Sequence, residues 1–166
     1  MRTLRLLALA AVLTVQAASA AQRTFVNIET SNTQMVLGTN EAGELLFLHY
    51  GPRIGDPAQF DSWKSDRRSD YSTDPAACPA RGGRFINEPA LAVTYSDGDC
   101  NTELRYDSCR SVSVRPGATR HEVLLRDSKT SLEVKLIYTA YEREDVIVSS
   151  TEILNGGKKT ITLDAY

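Results

Sequence analysis

Between Asp56 and Tyr71 the sequence gathers Asp56, Asp61, Trp63, Lys64, Asp66, Arg67, Arg68, Asp70 and Tyr71. This set suits carbohydrate. An aromatic ring offers an apolar face to the CH patches of a sugar, and Asp and Arg side chains can take its hydroxyls. Asp61, Trp63, Arg67, Arg68 and Tyr71 are therefore the candidate substrate-binding residues. A salt-bridged surface loop, with Trp63 as its packing anchor, accounts for the same residues and is the simpler reading.

The sequence shows no catalytic constellation. It contains no G-x-S-x-G elbow and no P-loop. Arg81-Gly82-Gly83-Arg84 is basic and glycine-rich but opens no helix, so it reads as a turn and not as a phosphate cradle. A glycosidase needs two carboxyl groups across the scissile bond. Glu29, Asp127, Glu133, Asp145 and Glu152 instead fall on polar strand faces or turns, with Lys135, Arg143 and Lys158 as surface partners. His49 sits on an apolar strand facing inward, and His121 follows a turn and reads as exposed. With only these two histidines and no C-x-x-C spacing, neither a metal site nor a cofactor is expected.

The elements that must position these residues are strands. Leu132, Val134, Leu136, Tyr138 and Ala140 alternate with Glu133, Lys135, Thr139 and Tyr141, the period of a half-buried β-strand. Val146 to Leu154 forms a second strand, Asn155-Gly156-Gly157 a turn, and Ile161 and Leu163 begin a third. Upstream, Phe25–Glu29, Met35–Leu37 and Glu44–Tyr50 read as strands, the last apolar on both faces like a central strand. Gly51 to Pro89 lacks periodicity and carries Pro52, Pro57, Pro75, Pro79 and Pro89. It reads as one long ordered excursion inside a single domain. Short strands follow at Leu91–Tyr95, Leu104–Tyr106, Val112–Val114 and Glu122–Arg126. About ten short strands with regular turns and no sustained helical period describe an all-β, antiparallel β-sandwich.

Residues 1–20 stand apart. Arg2 and Arg5 precede the apolar run Leu6–Val15, and Ala18-Ser19-Ala20 fits a signal-peptidase site. The run is too short to span a bilayer, which takes about 20 apolar residues. The expected organisation is a signal peptide over 1–20 and a β-sandwich domain over 21–166, exported to the periplasm or beyond the cell. Removal of Arg2 and Arg5 takes the net charge from −2 to about −4. An acidic chain of this kind argues against nucleic acid and anionic membrane as partners. Export permits disulfides. Cys100 and Cys109 flank a short segment that reads as a hairpin, so they are the candidate pair. Three free thiols, Cys78 included, is the even alternative, since roughly 146 residues can build a core without staples.

Several segments, in order, resemble the N-terminal domain of glycoside hydrolase family 36, the α-galactosidases. They are Ile28-Glu29-Thr30-Ser31-Asn32-Thr33, Glu41-Ala42-Gly43-Glu44-Leu45, His49-Tyr50-Gly51-Pro52-Arg53-Ile54, and Glu88-Pro89-Ala90-Leu91-Ala92-Val93 with Asp97-Gly98. Glu103-Leu104-Arg105-Tyr106, Leu132–Tyr141, Asp145–Ser150 and Ile153–Gly157 continue the series. Ser149 stands where the family usually has Arg, and Cys78-Pro79-Ala80-Arg81-Gly82 replaces an aromatic-rich pattern.

The resemblance implies a galactose-mutarotase-like β-supersandwich, cut off here at its C-terminal end, that precedes a catalytic barrel. It implies retaining hydrolysis of terminal α-galactosides by two aspartates of that barrel, outside this chain, so no catalytic residue is assigned here. It further implies an α-galactoside oligosaccharide as substrate of the whole enzyme, and a homo-oligomer in which the N-terminal domain supports subunit contacts and the substrate pocket. The alternative is a stand-alone secreted carbohydrate-binding β-sandwich.

Overall fold

The computed structural model describes residues 23–64, 74–82 and 86–166. Nine strands occur among them: β1 (Phe25–Glu29), β2 (Thr33–Thr39), β3 (Leu45–Pro52), β4 (Ala92–Tyr95), β5 (Leu104–Arg115), β6 (Ala118–Asp127), β7 (Leu132–Tyr141), β8 (Val146–Asn155) and β9 (Ile161–Ala165). Among the described residues one 3₁₀ turn, Pro57–Phe60, follows β3. No helix among the described residues is long and apolar enough to cross a membrane.

The strands form an all-β, antiparallel sandwich. One sheet runs β1-β2-β3 and another β5-β6-β7-β8, while β4 pairs with β9. Two isolated bridges, Leu46 to Ala76 and Ala80 to Leu91, link β3 to the excursion and the excursion to β4. The core joins Val26, Ile28, Met35 and Leu37 of the first sheet to Val123, Leu125, Val134, Leu136 and Tyr138 of the four-stranded sheet. Leu91, Val93 and Tyr95 close the end of it. β7 is buried at every second residue, from Leu132 to Ala140. Its alternation in the sequence is the physical cause, because one face must be apolar for the two sheets to stack.

Five expectations are corrected. β3 is not central. β2 is the middle strand of its sheet, and Phe47 and Tyr50 of β3 remain 37% and 57% exposed. A bulge skips Leu48, since Val36 pairs with His49 and Leu37 with Phe47, so residues on its two sides exchange faces. Leu104–Tyr106 and Val112–Val114 are not separate strands but parts of β5. Beyond Tyr106 its side chains are mostly exposed on both faces, so no apolar period marked it. Cys100 and Cys109 are not bonded, and Cys78 is free as well. The expected hairpin between them is instead the extended start of β5, which carries Cys109 about 17 Å beyond Leu104, whereas a disulfide tolerates Cα separations of about 4.4–6.8 Å. Cys100 instead lies 3.6 Å from the Thr94 hydroxyl. His121 is half-buried, not exposed, with the Ser111 hydroxyl 2.9 Å from its Nδ1. Burial lowers its pKa from the usual histidine value. His49 is also only half-buried, and its Nε2 lies 3.0 Å from the Pro52 carbonyl.

Candidate functional site

The excursion after β3 begins on a buried amide. Gln34 of β2 is fully buried, and all its hydrogen-bonding capacity is used. Its Nε2 donates to Asn27 Oδ1 and to the Gly55 carbonyl, both at 2.8 Å. Its Oε1 accepts from the backbone N–H of Ile54 at 2.7 Å and of Gly55 at 3.1 Å. The loop is thus fastened to the sheet where it leaves β3. Next, Asp56 caps the 3₁₀ turn, its Oδ1 accepting from the Ala58 N–H at 2.9 Å. Pro57 at the first helical position suits that turn, since it has no N–H to lose there.

Arg23, just before β1, holds the far end. Its guanidinium donates to the carbonyls of Phe60 at 2.8 Å and Trp63 at 2.7 Å. It also lies over the Trp63 ring, 5.5 Å from the centroid, a cation–π arrangement. Asp61 is exposed and Trp63 half-buried, and both lie in the segment that Arg23 ties back beside β1. Arg67, Arg68 and Tyr71 lie outside the described residues. Arg23 thus covers part of one face of the Trp63 ring.

Neither fastening residue was identified as a site residue in the sequence. Gln34 left a trace as a polar residue in the apolar run Thr33–Leu37. Arg23 left none, since its contacts reach residues 37 and 40 positions away.

The carboxylates are engaged in structural work. Glu29 pairs with Arg53 at 2.8 Å, Glu133 with Arg126 at 2.9 Å and Glu152 with Lys135 at 2.9 Å. Two depart from the solvated-face expectation. Asp127 is buried and accepts from the N–H of Glu103 at 2.8 Å and of Thr130 at 2.9 Å. Asp145, at the β7–β8 turn with φ of 54°, accepts from the Thr30 hydroxyl and from the N–H groups of Asn32 and Thr33 at 3.1 Å. Those bonds, the Thr30 hydroxyl first, hold its carboxyl down to about 2.

Arg81 is likewise structural. It donates to the Val93 carbonyl and the Thr94 hydroxyl, both at 2.9 Å, and pairs with Asp164 across the β4–β9 ladder. Gly82 beside it has φ of 130°, and a Cβ there would meet the Thr102 nitrogen at 2.5 Å. Only glycine fits that close approach.

A cavity bordered by Asp74, Cys78, Thr102 and Glu103 has about 80 Å³, and an open hollow bordered by Tyr95, Asp97, Lys129 and Lys159 has about 320 Å³. No group of three or more His, Cys, Asp or Glu residues able to hold a metal ion occurs among the described residues.

Comparison with known proteins settles what the sandwich is. The Glycosyl hydrolase family 36 N-terminal domain model matches residues 43–166. The chain belongs to that family. Over 113 residues it is 32% identical to α-galactosidase AgaA of Geobacillus stearothermophilus, a stretch covering 60% of this chain and 16% of AgaA. The crystal structure of that enzyme superposes with a TM-score of 0.74 at 25% identity, covering 84% of this chain and 23% of AgaA's. The α-galactosidase of Lactobacillus brevis superposes at 0.76 and 22% identity, covering 90% and 24%. The chain thus spans less than a quarter of these relatives. AgaA variants have been crystallised with raffinose and with stachyose.

Proposed function

We propose that this chain is the N-terminal, non-catalytic β-supersandwich segment of an exported retaining α-galactosidase. In this reading the catalytic aspartates belong to a barrel outside the chain. The segment supports subunit contacts and helps to shape a pocket for terminal α-galactosides, with raffinose-type oligosaccharides as the substrate class. The observation that carries it is the family match over residues 43–166, joined to the 32% identity with AgaA. The engaged carboxylates agree with a supporting role, since a glycosidase needs a facing pair across its substrate. Export rests on the Arg2, Arg5 and Ala18-Ser19-Ala20 pattern.

The decisive experiment has two arms. The purified chain is assayed on an aryl α-galactoside and on raffinose, and no turnover is expected. A chimera in which the chain replaces the matching segment of AgaA is assayed alongside AgaA lacking that segment. The chimera is expected to hydrolyse raffinose and the shortened enzyme not to. Turnover by the chain alone, or a shortened enzyme as active as the chimera, overturns the reading. Trp63→Ala decides for the stand-alone binding module only if the isolated chain binds glycan and the substitution abolishes it.

A further inference from the structure

Six asparagines occur in the chain, and Asn155 alone precedes a glycine. Asparagine is among the side chains that decay chemically with time and heat. The backbone nitrogen of the following residue can attack the asparagine Cγ, and a Cβ on that residue stands in the way. Glycine has none. The end of β8 thus places an electrophilic amide beside an unshielded nucleophile.

The fold engages the groups that this reaction needs. Asn155 closes the β7–β8 ladder opposite Leu132. Its Nδ2 donates to the Lys159 carbonyl at 2.8 Å, and its Oδ1 accepts from the Gly157 N–H at 3.0 Å. The amide is therefore pinned at both ends across the turn that leads to β9. The Gly156 N–H donates to the Ser131 carbonyl at 3.0 Å, so the proton that must leave before attack is held there. Attack requires all three bonds to be given up.

We infer that Asn155–Gly156 is a deamidation site that the folded turn keeps closed and that unfolding opens. In the unfolded chain the Gly156 nitrogen gives its proton to hydroxide and bonds to Asn155 Cγ. The Cγ–Nδ2 bond breaks, and Nδ2 takes a proton from water and leaves as ammonia, which regenerates the hydroxide. Water then opens the five-membered succinimide at either carbonyl. One opening gives aspartate, and the other gives isoaspartate, in which the main chain runs through Cβ and Cγ.

Either product disturbs the turn. Aspartate turns a carboxylate oxygen toward the Lys159 carbonyl in place of a donor. Isoaspartate lengthens the main chain by one atom between the β7–β8 ladder and β9, whose Ile161, Thr162 and Leu163 pair with Tyr95, Thr94 and Val93. Conversion therefore marks chains that have unfolded and makes the unfolding harder to reverse. The closure comes from bonds among residues 131–159, and any further segment packed on the turn adds to it. It is independent of the galactosidase reading.

The test holds the chain in mildly alkaline buffer, folded and in denaturing urea, and follows the tryptic peptide Glu144–Lys158 by mass spectrometry and isoaspartate labelling. In urea, the Asn155 amide is expected to be replaced by carboxyl, with isoaspartate among the products. The folded chain should convert about tenfold more slowly or less, because only the opened turn reacts. Gly156→Ala, compared in urea where its fit in the turn is immaterial, should convert several-fold more slowly than the parent. Converted chain returned to buffer should unfold at lower urea than unconverted chain carried through the same cycle. A folded chain that converts as fast as the unfolded one overturns the inference. So does an unfolded chain that keeps its amide, conversion indifferent to Gly156→Ala, or converted chain with an unchanged urea midpoint.

Discussion

Replacing Gln34 by leucine tests what positions the candidate loop. The side chain is fully buried, and leucine has similar bulk but no polar atoms. The change removes the bonds to Asn27, Ile54 and the two to Gly55. At about 1 kcal/mol net each, their loss would cost about 4 kcal/mol. Burial of the more apolar side chain returns about 1–2 kcal/mol. Ile54 is 37% exposed and Gly55 is exposed, so water can reach the freed backbone groups if the loop lifts. The net loss is therefore about 2 kcal/mol, lowering Tm by roughly 5–10 °C for a domain of this size.

Urea and thermal unfolding followed by circular dichroism give the global value. Hydrogen exchange gives the local one. The amides of Ile54 and Gly55 should lose protection by more than the global change explains, because the loop opens before the sandwich does. Gln34→Glu supplies a second arm. It keeps an acceptor for the Ile54 and Gly55 amides but buries a charge, so the folded carboxyl is raised above its unfolded value. Its stability should be recovered in acid and lost as pH rises through the folded pKa. Unchanged exchange at Ile54 and Gly55 in Gln34→Leu, with a Tm shift under about 1 °C, would refute the claim that this amide fastens the loop.

Two further outcomes follow from the ionisable groups. Asp145 has a folded pKa of about 2, below the ordinary 3.8, so its stabilisation is complete above 3.8 and disappears as pH falls through about 2. Asn tolerates the same left-handed backbone. Asp145→Asn should thus unfold at lower urea than the parent at neutral pH, and the two curves should converge near pH 2; a constant gap would reject the carboxylate as its source. Burial pushes the Cys78 thiol up to about 11, and thiolate is the reactive form. Mass spectrometry after alkylation near neutral pH should find three free thiols, with Cys78 modified slowest. A mass deficit matching one disulfide would contradict the unbonded arrangement.

What the sequence made legible was whatever local order writes into it. β7 was readable residue by residue because its two faces meet different media, and the turns at Asn155-Gly156 and Pro116-Gly117 carry their own backbone chemistry. The motif series from Ile28 to Gly157 led to the family that the match over residues 43–166 shows. β3 misled because it is apolar on both sides and nothing local announces a bulge at Leu48. β5 was divided because its second half overhangs the core and has no face to bury. Asp61 and Trp63 were chosen by residue type, and of the two only Trp63 has a side-chain contact described, with Arg23. The residues that hold them, Arg23 and Gln34, act across sequence separations that no local pattern encodes. The Cys100–Cys109 pairing failed for a related reason, since sequence proximity says nothing of distance once the chain between them extends.

The hold of Asp145 on the first turn has a consequence for the order of assembly. Thr30 and Asp145 are 115 residues apart in sequence, whereas β5 to β8 each pair with their immediate neighbour along the chain. Loop-closure entropy delays contacts of long separation, and neighbouring hairpins form sooner. The meander of the later strands is thus expected to stand first, as a template. The two strands synthesised earliest must wait undocked until the β7–β8 turn exists to receive them. A chain drawn from its N-terminus would release those strands first and leave the meander standing.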